Sequence, residues 1–161
     1  MTETQTQLRQ LAEPFPPKFV RSNPSGGGSY VAHPVIKQRL LSVVGPYTFH
    51  VVSVIRGDVA AIEPNPNGKS QRAKDGRPAL SNVVVGCVGR LTVTIDGTTV
   101  EIEDVGDCED PHNWPHDGAR LKDARSDALK RCAADTSLGL HLWAGHDYFL
   151  DAQLDKQAEG D

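Results

Sequence analysis

The chain has few aromatic residues, 6% of its 161, a single methionine, and three cysteines that form no CxxC pair. An odd set of isolated cysteines excludes a disulfide framework and points to a reducing compartment, with Cys87 and Cys132 read as small core hydrophobes. No apolar run approaches the ~20 residues that a membrane span needs. Met1 leads into TETQTQ, which lacks the charged and apolar regions of an export signal. A soluble, cytoplasmic protein with no membrane partner is the expectation. Patterns of bond chemistry are missing as well: no Ser-His-Asp set, no paired carboxylates and no Walker loop stand out. The run Gly26-Gly27-Gly28 fits neither phosphate-binding glycine spacing. The chain therefore reads as a non-enzyme with no cofactor.

What is present suffices for one domain. With 38% hydrophobic residues, positions 1–155 can bury a single core, followed by a polar tail at 156–161. The formal net charge is −4, which is unlike the basic surface of most nucleic-acid binders. Its distribution is uneven: residues 1–90 hold 11 Lys and Arg against 5 Asp and Glu, while 91–161 hold 6 against 16. Local fields decide where a phosphate backbone can lie, so a basic groove can coexist with an acidic rim.

The most strongly periodic stretch starts at Asp117. Asp117 can cap a helix in which Leu121, Ala124, Ala128 and Cys132 form one narrow apolar stripe, and two alanines in that stripe call for a close neighbour such as a sheet. Arg120, Asp123 and Asp127 are placed on the outer face with Arg131, as a surface of helical ion pairs. The sheet is legible in its own right. Asp96-Gly97 between two β-branched runs signals a type I′ turn, and a two-residue loop pairs Ile95 with Thr98, Val93 with Val100 and Leu91 with Ile102 on one face. The other face then pairs Thr92 with Glu101 and Arg90 with Glu103, so one register satisfies both faces. The fold class expected is α+β, an antiparallel sheet built on a central hairpin at 83–105 and covered by helices.

Around this core, residues 8–12 read as a short helix stopped by Pro14, Pro16 and Pro17. Residues 31–44 read as a second helix ended by Gly45-Pro46, and 47–55 as a strand. From 63 to 82 the composition turns to Pro, Gly, Asn and charge, so an exposed or disordered basic insertion is expected, carrying Lys69, Arg72, Lys74 and Arg77. Cys108, His112 and His116 recur at four-residue intervals beside Asp107 and Asp110. Their spacing matches no common zinc pattern, and the neighbouring prolines interrupt any helix that could align them, so no metal is assigned. Trp114 in that loop is expected to anchor it. After Gly139, the segment Leu140 to Trp143 reads as a short edge strand, and 146–154 as a last helix.

The run ARSDALKRCAADTSLGL resembles the signature helix of the Rad fifty-two type single-strand annealing proteins, and the segment from Leu140 to Gly145 resembles the glycine-rich continuation that follows it. The segment LRQLAEPFPPKFVRSNPSGGGSYVAHPVIKQRLLSVVG resembles that family's opening helix, glycine loop, tyrosine-bearing strand and second helix. VVVGCVGRLTVTIDGTTVEIEDVG resembles its central hairpin. In order and spacing these cover most of Leu8 to Gly145, and the chain looks like a phage or bacterial short form, an annealing core alone. The resemblance implies a β-β-β-α core, a closed homo-oligomeric ring, and binding of single-stranded DNA and of the annealed duplex in homologous recombination and repair. It also implies delivery of the DNA by a single-strand binding protein or an exonuclease. Carried over by position, it implies a strand-binding groove at Arg21, Tyr30, Lys122, Arg125, Lys130 and Arg131. Ala134 stands near the place of a further basic residue of the family. The family's connection at 63–82 is short and no matching lysine stands in the central strands, so Lys69, Arg72, Lys74 and Arg77 are the candidates for a second DNA site. The alternative from another class is a metal-dependent nuclease or other enzyme using the Cys108 to His116 loop.

Overall fold

In the computed structural model, which describes residues 6–23 and 27–160, short helices alternate with strands. The chain runs through α1 (Gln7–Ala12), a 3-10 turn, β1 (Val20–Ser22), β2 (Ser29–Val31), α2 (His33–Val44), β3 (Thr48–Val59), α3 (Gln71–Asp75) and β4 (Leu80–Ile95). It continues through β5 (Thr98–Asp107), a 3-10 turn, α4 (Asp117–Asp135), α5 (His141–Ala144), a further 3-10 turn and α6 (Leu150–Glu159). The class is α+β, with an antiparallel three-stranded sheet in the order β3-β4-β5 packed against helices and a separate two-stranded ribbon, β1-β2. No helix among the described residues is long and apolar enough to cross a membrane.

The hairpin forms as its sequence dictates. Asp96 and Gly97 both take positive φ, 49° and 80°, as a type I′ turn requires. Arg90 Nε donates to Glu103 at 2.7 Å, and Thr94 and Thr99 hydroxyls meet at 2.9 Å, so the polar face has the expected register. Both strands run beyond 83–105 because β-branched residues continue on either side.

The chain divides into two compact units, and β3, β4, β5 and α4 each contribute to both. The first holds residues 1–50, 90–104 and 129–161. Its core joins Leu91 and Val93 of β4 to Leu129, Cys132 and Ala133 of α4, with Leu11, Ile36 and Leu40 from the first two helices. Each such leucine, fully buried, is worth about 1.5–3 kcal/mol relative to exposure. Val31, expected to open a helix, instead ends β2, and α2 begins after it because Pro34 suits a helix's first turn and not its interior. Gly45, at φ 76°, ends α2. Residues 140–143, expected as an edge strand, turn into α5: Leu142 N–H bonds back to Gly139 O and Ala144 N–H to Leu140 O. The last helix starts at Leu150 and takes in Lys156 to Glu159, which were expected as a tail.

The second unit holds residues 51–89 and 105–128. Here the small residues of α4 meet a strand that is smaller still. A methyl group on Gly106 would overlap Ala124 O and Ala128 N, so only glycine lets the helix lie this close. Val84, Cys87 and Cys108 are buried beside them. Arg120, expected on the outer face, is 7% exposed. Its guanidinium donates to Pro111 O and Trp114 O at 2.9 Å and to Asp117 Oδ1 at 3.0 Å. A buried charge needs partners, and two carbonyls of the preceding loop with the Asp117 carboxylate supply them.

The 63–82 segment is exposed along most of its length, but it is built. Ile62 and Arg77 form an antiparallel bridge, Ser70 caps α3 by accepting from Ala73 N–H, and Gly76 lets the chain pass against Ile62 O and Pro64. Its order comes from backbone bonds and turns rather than from apolar burial, which is why composition reads it as loose.

Candidate functional site

Within the first unit the β1-β2 ribbon places Arg21 directly opposite Tyr30. Opposed residues of an antiparallel pair project to the same face, so both side chains leave the ribbon on one side. Asn23 N–H donates to Gly28 O at 3.0 Å to close the ribbon, and Gly28 takes φ 96°. Gly26, part of the expected glycine loop, lies outside the described residues.

Tyr30, 40% exposed, lines a small, shallow cleft of about 40 Å³. Lys130 of α4 lines it too, together with Leu138, Gly139, Leu142 and Trp143. Gly139, at φ 79°, follows Ser137, also left-handed at φ 75°, and the pair turns the chain from the end of α4 into α5. That turn sets Trp143 at the cleft with 60% of its surface exposed. Arg131 is exposed on α4 beside Lys130. The structure therefore brings together Tyr30 and Lys130, with Arg21 adjacent, and adds Trp143. The tryptophan carried no expectation because a short apolar run after glycine reads equally as core, and only its turn into α5 exposes it.

Behind the cleft's α5 wall, Phe15 N–H donates to His141 Nε2 at 3.1 Å. The His141 ring lies 5.5 Å from the Phe15 ring and 5.8 Å from the Tyr148 ring. Burial lowers the His141 pKa, and the Arg39 guanidinium lowers it further. Burial likewise pushes the Tyr148 phenol up to about 12, and its hydroxyl bonds to Ala12 O.

Lys122 and Arg125 belong to the second unit, where Lys122 is exposed and Arg125 half-buried. Burial raises the Cys87 thiol pKa, and the Arg125 charge partly opposes it. Of the four cations of the insertion, Lys69 and Lys74 are exposed. Arg72 instead pairs with Asp110 at 3.1 Å, and Arg77 donates to Gly76 O at 3.0 Å.

The loop with Cys108, His112 and His116 is spread rather than gathered. Burial pushes the Cys108 thiol up to about 11, with Asp123 adding to the shift. His112 Nε2 lies 3.0 Å from Pro78 O. His116 Nδ1 accepts from Ala119 N–H at 3.2 Å, taking the capping role expected of Asp117. Asp117 is thereby left to accept from Val84 N–H and Arg56, bonds that hold its carboxyl below the usual range. Among the described residues no three His, Cys, Asp or Glu side chains converge to hold a metal ion. No family model matches this chain, and no curated protein matches it at a significant level.

Proposed function

We propose that the protein binds single-stranded DNA and anneals complementary strands without ATP, in homologous recombination and repair. The observation that carries this reading is that Tyr30 shares an apolar cleft with Lys130 and stands opposite Arg21 on its ribbon. Cations track a phosphate backbone without regard to sequence, and an aromatic face accepts any base. Annealing needs no more chemistry than this, because it requires a strand held by its backbone with base edges free to test a second strand. The resemblance to the Rad fifty-two type proteins supports the same reading, with β3, β4, β5 and α4 as the β-β-β-α core. In that reading the subunits close into a ring, which any heterologous interface with a closing rotation generates. Strand-delivering partners such as a single-strand binding protein or an exonuclease belong to the same proposal.

The experiment is to mix two complementary labelled oligonucleotides with and without the protein, in the absence of ATP, and to measure both annealing rate and strand length. Faster annealing with intact strands is the expected result. Shortened strands would replace the proposal with a nuclease, and an unchanged rate would retire it.

A further inference from the structure

Trp143 presents 60% of its surface although it stands among apolar residues, and it lines a cleft whose other described walls include Tyr30, Leu138 and Leu142. An exposed indole at a concave apolar site, with a lysine on the lining, combines two kinds of recognition in one place. At about 40 Å³ the cleft is far smaller than small-molecule pockets, ~300–1,000 Å³, so it cannot enclose a ligand and offers instead an open apolar shelf on which one planar ring can lie. Lys130 is the charged group among the described lining residues, and Arg131 follows it on the same helix, so an occupant that carries phosphate next to its planar part is favoured. A nucleotide unit of a single strand has that construction.

We propose that one unstacked base of the bound strand lies over this cleft, with Trp143 as its stacking surface and Lys130 on the adjoining phosphate. The inference rests on the single-strand reading above and deepens it. A base held here is withdrawn from pairing while its neighbours stay available, so each subunit divides the strand into one anchored base and a run of free ones. The anchoring is tolerant of sequence, because every base offers a π-face.

The test uses the full chain with Trp114→Phe, which leaves Trp143 as the one remaining tryptophan of two. Its fluorescence and affinity are followed with oligothymidylate and with an abasic deoxyribose-phosphate strand of equal length. Oligothymidylate should quench Trp143 and bind more tightly, whereas the abasic strand should bind through charge alone without quenching. Trp143→Ala should lose about 5- to 150-fold in affinity for oligothymidylate, keep its affinity for the abasic strand, and be largely rescued by Trp143→Phe. Equal affinity for both strands, with no quenching and no effect of Trp143→Ala, would overturn the base cleft and leave the DNA reading standing. If Trp143→Ala instead changes the oligomer's size by light scattering and not its base-dependent affinity, the cleft is a contact between copies and the inference fails. Binding of neither strand would end both proposals together.

Discussion

Arg21 and Tyr30 stand directly opposite one another across the β1-β2 ladder, and Tyr30 lines the cleft that Lys130 and Trp143 also line. One is a charge and the other an aromatic face, so under the proposed function their contributions to strand binding separate by salt. Tyr30→Ala should cost roughly 1–3 kcal/mol of single-strand affinity at every ionic strength. Arg21→Ala should instead flatten the logarithmic salt dependence by about 0.7, the slope per neutralised phosphate on a single strand. Fluorescence anisotropy over a salt series distinguishes the two, and a folded Tyr30→Ala with unaltered affinity would remove the tyrosine from the interface.

Lys130→Ala combined with Arg131→Ala should lower the salt slope by up to about 1.4, two phosphates' worth, with the folded state intact. Lys130 is half-buried, so the change trims its stem from the cleft as well as its charge. Lys122→Ala and Arg125→Ala should have smaller effects. A slope unchanged in the Lys130 and Arg131 double variant would show that the positions carried over from the resembled family are wrong.

Gly106→Ala tests the packing of the second unit. The added methyl meets Ala124 O and Ala128 N, backbone atoms that no rotamer change can move aside, and Gly86 on the neighbouring strand is also constrained, its own Cβ position lying 2.8 Å from Gly106 O. Overpacking of this kind costs about 1–3 kcal/mol, and the backbone nature of the obstacle puts Gly106→Ala at the upper end. A urea midpoint within error of the parent would contradict the close approach.

The parts of the fold that were legible are those set by neighbours in sequence. Asp96-Gly97 fixes a turn, the turn fixes a register, and the register places Arg90 against Glu103 and Thr92 against Glu101. The alanine stripe of α4 likewise announces a close partner, although it takes the structure to identify Gly106 as part of it. What escaped depends on contacts distant in sequence. Arg120 looks like a surface charge until the carbonyls of Pro111 and Trp114 are seen to close on it. The insertion looks disordered until Ile62 pairs with Arg77, and Leu140 to Trp143 is too short for periodicity to tell a helix from a strand. Nothing in the local sequence of Tyr30 and Lys130 brings them together; only the tertiary fold sets both on one cleft.

His141 gives a pH dependence whose sign can be fixed. Its folded pKa lies below the ordinary value near ~6.5, first through burial and then through the Arg39 charge, with Asp151 opposing. Between the two values the unfolded chain binds more protons than the folded one, so stability rises with pH across that window. The contribution is fully present above about pH 6.5 and is lost as pH falls through the folded pKa. His141→Gln keeps an acceptor for Phe15 N–H and removes the titration. Urea midpoints should fall for the parent between about pH 7 and 5 and fall less for the variant; parallel curves would show that another group dominates.

The basic insertion is the remaining candidate for a second DNA surface, and its built conformation sharpens what to expect of it. Arg72 is committed to Asp110 and Arg77 to a neighbouring carbonyl, while Lys69 before α3 and Lys74 within it are exposed. Exposed lysines attract phosphate without demands of shape or sequence. Lys69→Ser with Lys74→Ser should therefore slow annealing and weaken duplex binding at low salt while leaving tight single-strand binding nearly unchanged. Extending the change to Arg72→Ser and Arg77→Ser should enlarge that effect, and loss of the partly exposed Arg72 pair adds only about 0–1 kcal/mol of destabilisation. Annealing should be timed between about 50 and 200 mM salt, a range over which phosphate contacts lose much of their strength. If the parent and the serine variants anneal at the same rate throughout, the insertion is a solvated excursion of the β3-β4 connection and the second strand is met elsewhere.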